Sequence, residues 1–298
     1  NRLRLQRSRL ADQVAAINQA AVKLAREAAQ SRPPVNRPLV AATVGPLGQP
    51  LAPVGHLTPE AAREAFDEQI EALLAADPDL FVFETFSDLA ELRIAVATLT
   101  ARAPDAAFIA SATFTEDGKT LFGHKPEEIA RAMLAAGAAA VGANCSTGPQ
   151  GLDPVIERML AVPGARIVAS PNAGMPRLVD GRFVYVATPD YFAEWAQRVA
   201  DLGVRAVGGC CGTKPAHIAR MAEAIGVRSP RLSSPGPRVT EPEEPPEPAP
   251  MPTRGSDFER KLAAGEFVVS VELDPPRGID AERLVHGAIA VRQAGADA

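Results

Sequence analysis

Cys145 follows an asparagine, and Cys210 and Cys211 form an adjacent pair bounded by Gly208-Gly209 before and Gly212 after. These 3 cysteines are all that the chain of 298 residues contains. An odd count in a chain this long is a poor basis for a disulfide framework, so a reducing, cytoplasmic setting is expected. Three thiolates make a soft ligand set that favours zinc and leaves one tetrahedral position open. Such a position can take a substrate thiol and keep it near neutral pH as the thiolate, the form that attacks electrophiles. Two plainer readings compete. Buried cysteines serve as small hydrophobes in many cores, and an adjacent pair can be redox active. The spacing matches no standard zinc finger, so the elements that carry the cysteines have to weigh in.

Those elements alternate. Short β-rich apolar runs fall at residues 39–44, 79–84, 107–113, 139–144, 166–170 and 205–209. Most are apolar nearly throughout, as strands covered on both faces should be. Between them lie helical stretches with their own punctuation. Thr58-Pro59-Glu60 supplies an N-cap, a first-turn proline and an early acid. Asp88, Pro126, Thr188-Pro189 and Pro215 open four more, and Gly137, Gly203 and Gly226 close three of them. The chain opens on a helix in which Leu10, Val14, Ile17, Ala21 and Leu24 share one face.

Strand–helix alternation of this regularity predicts a parallel sheet with helices outside, in a (β/α)8 barrel. Six units are visible where the barrel needs eight. The first strand–helix unit and the second strand are therefore expected upstream of Asn1. In a barrel, reactive groups come from the C-terminal ends of strands. Gly45-Pro46, Glu84-Thr85-Phe86, Asn144-Cys145, Pro171-Asn172-Ala173-Gly174 and the Cys210-Cys211 pair all stand at such ends. One rim thus collects all three sulfurs, and the glycines around the pair permit the sharp turn that aims them inward.

A hydrophobic fraction of 46% with 22% charged residues is ordinary for a globular chain, and the net charge of −5 gives no footprint for nucleic acid or an acidic membrane surface. No run approaches the length of a membrane span, and no secretory signal opens the chain. Residues 229–254 are dense in proline and glutamate and read as an extended linker between a barrel domain at 1–228 and a further piece at 255–298. That piece reads as helix, strand, helix, the beginning of a second β/α barrel.

The motifs Asn144-Cys145-Ser146-Thr147-Gly148-Pro149, Pro171-Asn172-Ala173-Gly174 and Gly208-Gly209-Cys210-Cys211-Gly212-Thr213 closely resemble the homocysteine S-methyltransferase family. The likeness runs from residue 1 to about 227 and takes in Val44-Gly45-Pro46 and Glu84-Thr85-Phe86. It implies that Cys145, Cys210 and Cys211 ligate Zn2+, with homocysteine sulfur completing the set. It also implies that Glu84 holds the homocysteine amino group and that Asn144 orders the ligand loop within the substrate site. Asn172 has either that role or a turn role. His56, His124 and His217 match no role and read as surface or capping residues. Family members open with a strand bearing an Asp-Gly motif that contacts homocysteine, and the chain lacks it.

The tail run Phe267-Val268-Val269-Ser270-Val271-Glu272-Leu273-Asp274-Pro275-Pro276-Arg277-Gly278 is similar to the opening strand of methylenetetrahydrofolate reductases. That resemblance implies FAD and a proton-transfer role for Glu272. Together the two likenesses imply a bifunctional protein that joins methyl transfer to folate reduction. The methyl donor stays open among S-methylmethionine, S-adenosylmethionine, betaine, methylcobalamin and methyltetrahydrofolate. The alternative is a non-catalytic zinc- or thiol-sensing barrel regulating a flavin-dependent reductase.

Overall fold

The computed structural model describes residues 1–226 apart from 180–181, with Lys261, Ala264, Val285, His286, Ile289 and Gln293 beyond them. The chain divides into two compact units, Asn1–Arg231 and Leu232–Ala298. Most of the second unit lies outside the described residues. So do residues 229–254, where the linker is expected, the strand around Glu272, and the expected second barrel.

Six strands form one parallel sheet in simple chain order: β1 (Ala41–Val44), β2 (Leu80–Phe86), β3 (Phe108–Ala112), β4 (Ala140–Asn144), β5 (Ile167–Ser170) and, at the far side, β8 (Ala206–Val207). Each lies within or close to one of the apolar runs. Helices fill the connections: α3 (Pro59–Leu74), α4 (Leu89–Arg102), α5 (Pro126–Ala135), α6 (Pro149–Leu160) and α7 (Pro189–Asp201), with α8 (Pro215–Ala224) after the last strand. Among the described residues β1 and β8 are the outer strands and do not pair with each other, so the sheet is not shown closed.

The caps form where the sequence placed them. The hydroxyls of Thr58 and Thr188 accept from the N–H groups of Ala61 and Tyr191, and the carboxylate of Asp88 accepts from Ala90. Each satisfies a helix-end donor that would otherwise lack a partner. Aromatic rings dominate the core. Phe81, Phe83 and Phe86 of β2 are all buried, and Phe83 meets Phe108 edge to face at 5.8 Å. Burying each such ring contributes about 1.5–3 kcal/mol.

Two expectations about burial need correction. β1 alternates, with Ala42 and Val44 buried and Ala41 and Thr43 exposed, so it is packed on one face and not on both. The N-terminal pair α1 (Arg2–Gln6) and α2 (Val14–Gln30) also departs from the forecast. α2 buries Val14, Val22 and Ala29, whereas Ile17 and Leu24 of the expected stripe are exposed. Its inward face is fixed by α3, whose Gln69 side chain donates to Asn18 Oδ1 at 3.1 Å.

A feature without a sequence signal is the antiparallel hairpin β6 (Arg177–Val179) and β7 (Arg182–Val184), which stands apart from the sheet between β5 and α7. No helix among the described residues is long and apolar enough to cross a membrane.

Candidate metal centre

The three sulfurs converge. Cys145 ends up beside the pair although 65 residues separate it from Cys210, and all three Sγ atoms lie within 4.8 Å of one another. Cys145 Sγ and Cys211 Sγ are 3.8 Å apart. Zinc–sulfur bonds of about 2.3 Å at tetrahedral angles put sulfurs about 3.8 Å apart, so the cluster has the dimensions of a zinc site. Cys145 and Cys210 are partly buried and Cys211 is exposed, which leaves the centre open on one side.

Backbone hydrogen bonds hold this arrangement. Cys145 N–H donates to Ser170 O at 3.1 Å and Cys210 N–H to Pro171 O at 2.8 Å, so β5 templates both neighbouring loops. Ala173 N–H returns a bond to Cys211 O at 2.9 Å. Asn172 Oδ1 accepts from Cys211 N–H at 3.1 Å, and Asn172 is buried. Asn172 thus ties down the cysteine pair, while its own backbone carbonyl accepts from Gly174 N–H at 2.7 Å in a tight turn, so both expected roles are present. Cys145 and Ser146 both adopt left-handed backbone, at φ 63° and 59°. Non-glycine residues held there carry strain of about 1–3 kcal/mol, a feature that clusters at functional sites.

Asn144 and Thr85 form a second support. Thr85 N–H donates to Asn144 Oδ1 at 2.9 Å, and Asn144 Nδ2 donates to Thr85 Oγ1 at 2.8 Å. The same Nδ2 lies 3.9 Å from Cys210 Sγ. Thr85 is itself left-handed at φ 67°, and the pairing of β2 with β3 slips between Phe83 and Phe86. That bulge takes Thr85 out of the strand's alternation, next to Glu84, which stands half-buried at the rim.

The electrostatics follow from crowding. Cys145 is held down to about 5, first by hydrogen bonding from Cys210 and then by Ser146 N–H, Cys211 and Asn172, against the cost of burial. Cys210 is pushed up, first by that same bond to Cys145 and then by burial and the neighbouring negative charges. The cluster by itself thus carries its first negative charge easily and resists the next. A dication relieves that resistance, because thiolates ionise outright against a metal. Glu84 is also raised, by burial first and then by the charge on Cys145, and its carboxylate makes no hydrogen bond or ion pair among the described residues.

Sequence reasoning missed Thr85, because left-handed backbone at a β-branched residue has no sequence signature. It also missed Tyr185, whose ring lies over Gly212. His217 is a cap, as expected, yet a buried one. Its Nδ1 accepts from Lys214 N–H at 3.0 Å, its Nε2 meets Ala187 O at 2.9 Å, and its ring stands 5.0 Å from Phe192. His124 lies between Asp88 and Glu128 near the surface. Glu272 lies outside the described residues.

Comparison with known proteins settles the family, since the model of the homocysteine S-methyltransferases matches residues 1–225. The chain belongs to the homocysteine S-methyltransferase family. The methionine synthases of Mycobacterium tuberculosis and Mycobacterium leprae are 30% and 29% identical over 222 residues. That match takes in 72% of the chain, which spans only about 18% of the length of those relatives. Among solved structures, the homocysteine methyltransferase MmuM from Escherichia coli in its apo form is 26% identical at a TM-score of 0.58, over 72% of this chain and 74% of that one. Its metallated form, 24% identical at a TM-score of 0.57 over 70% of each chain, shares the fold. The parallel six-stranded sheet of this homocysteine S-methyltransferase family member is thus of the kind found in that enzyme.

Proposed function

We propose that this chain transfers a methyl group to the thiolate of homocysteine, giving methionine, at a zinc site formed by Cys145, Cys210 and Cys211. The observation that carries the reading is the convergence of three sulfurs within 4.8 Å at the C-terminal ends of β4 and β8. A zinc ion bound there supplies Lewis acidity that keeps a substrate thiol ionised near neutral pH. Glu84 receives the homocysteine ammonium group, which offsets the burial of its carboxylate. Asn144 and Asn172 keep the ligand loops in place from within the site, so Asn144 serves substrate binding through geometry. The homocysteine sulfur then attacks the methyl carbon, and the donor's leaving group departs with the bonding electron pair. Alignment supplies much of the rate when both ends of the nucleophile are fixed.

S-methylmethionine, S-adenosylmethionine and methyltetrahydrofolate are the donors to compare. The bifunctional reading, with FAD and Glu272 serving folate reduction in residues 255–298, rests on the resemblance of residues 267–278 alone and belongs to the same proposal.

The test is zinc content per chain together with methionine formation, in the 298-residue chain and in its Cys210→Ser variant. About one zinc per chain, lost in the variant along with turnover while folding is retained, supports the reading. Zinc retained with turnover unchanged sinks it. Zinc lost without any turnover in the parent leaves a thiol-sensing barrel, for which the exposed Cys211 beside Cys145 is the favouring observation.

A further inference from the structure

Glu91 stands in the first turn of α4, on the rim that carries the cysteines, and the chemistry above does not use it. It is only 7% exposed. Its Oε1 accepts the N–H of Leu47 at 2.6 Å, and Leu47 is buried in the loop that follows β1. The N-terminal segment around α1 grips the same loop. Arg4 Nε and Asn1 Nδ2 donate to Pro46 O at 3.3 and 3.4 Å, and Arg7 donates to Gly48 O at 3.2 Å. The loop begins at Gly45, which packs on the backbone carbonyl of Glu84, 3.8 Å from where a Cβ would stand. A cavity of about 200 Å³ opens beside Glu91, lined also by Arg4, Ser87, Asp88 and Phe122.

A buried ionisable group is a costly way to satisfy one amide, since a neutral side chain accepts the same bond without the burden of a desolvated charge. We propose that Glu91 is a positioning residue whose carboxyl clamps the loop after β1 against Glu84 and so shapes the amino-acid side of the methyl-transfer site. The catalytic half of this inference rests on the proposed function, while the clamp itself does not.

The clamp responds to pH. Burial pushes the Glu91 carboxyl up to about 7, and the Leu47 N–H pulls it back. Asp88, next to it on α4, adds to the rise, and Arg4 of α1 opposes it. His124 from the loop after β3 stands 3.9 Å from Asp88, and Arg7 holds the loop's outer side. Because a carboxylate is the stronger acceptor of the two forms, the hold on Leu47 tightens as pH rises through neutrality.

Amide hydrogen exchange at Leu47, corrected for its intrinsic rate, measures the clamp directly in the 298-residue chain. Protection in the parent is expected to rise severalfold between about pH 6 and pH 8. In Glu91→Gln protection persists and becomes flat with pH. In Glu91→Leu it is lost, and homocysteine binding to the zinc-loaded protein weakens roughly tenfold while zinc per chain is unchanged. Equal Leu47 protection in parent and Glu91→Leu overturns the clamp. Equal homocysteine affinity in those two proteins overturns the positioning role. A parent that binds zinc and no homocysteine refutes the proposed function instead, and the exchange at Leu47 still decides the clamp.

Discussion

Asn144 and Thr85 hold each other at two points across strands 59 residues apart in sequence, with bonds of 2.9 and 2.8 Å. The contact fixes the bulge that presents Glu84 and the strand end that presents Cys145, so two halves of the site share one support. Asn144→Ala leaves the Thr85 N–H unpaired at a partly buried contact. We expect a loss of about 1–3 kcal/mol in denaturant unfolding. Zinc affinity, measured by chelator competition, should fall about 10- to 100-fold, as it does when groups behind metal ligands are removed. Unaltered affinity would show that the clasp serves the fold alone.

Glu84 feels the charge on Cys145, and its carboxylate makes no hydrogen bond or ion pair among the described residues. If it receives the homocysteine ammonium group, Glu84→Gln should lower kcat/KM by on the order of 30-fold or more with zinc content intact. The sharper measurement uses a thiol acid lacking the amino group. The parent should discriminate strongly against it and the variant hardly at all. Equal discrimination by both proteins would remove Glu84 from substrate binding.

The legible parts of this molecule are those governed by local rules. Thr58, Asp88 and Thr188 announced their helices because a capping side chain acts within three residues of itself. Most strands announced themselves through nearly continuous apolar runs. α2 was harder, since its alanine-rich sequence carries two overlapping apolar stripes and only the packing of α3 selects Val14, Val22 and Ala29 over Ile17 and Leu24. The cysteines were legible by type and placement. Their supports were legible in part: Asn144 was marked as ordering its loop, whereas Thr85 and the hairpin ending at Val184 depend on backbone conformations and long-range contacts that residue types do not encode.

Gly212 closes the cysteine-pair turn at φ +76°, and a Cβ there would lie 2.2 Å from Tyr185 Cγ. Alanine therefore meets both a backbone penalty and an aromatic ring. Gly137, at φ +92° with nothing within 4 Å of its Cβ position, isolates the first effect. Gly137→Ala should cost about 1 kcal/mol. Gly212→Ala should cost distinctly more and also weaken zinc binding, because the ring must move away from the turn that aims Cys210 and Cys211. Equal losses in the two variants would mean that Tyr185 yields freely and has no part in shaping the centre.

Asp79 joins α2, the approach to β1 and the start of β2. Its Oδ2 accepts from Val40 N–H at 2.6 Å and from Arg26 at 2.7 Å, while its own N–H donates to Val40 O at 2.9 Å. The Val40 N–H first, and Arg26 second, hold the carboxyl below its usual 3.8. A carboxyl with a depressed value in the fold contributes stability above its unfolded value and loses it as pH falls through the folded one. Asp79→Asn should therefore unfold at a lower temperature than the parent near pH 7. The gap should hold down to about pH 5, narrow below the ordinary value of 3.8, and close as the parent's own carboxyl takes up its proton. Comparing parent with variant cancels the other acids, which titrate in both. A gap that stays constant into strong acid would assign the effect to packing and remove the charge on Asp79 from the account.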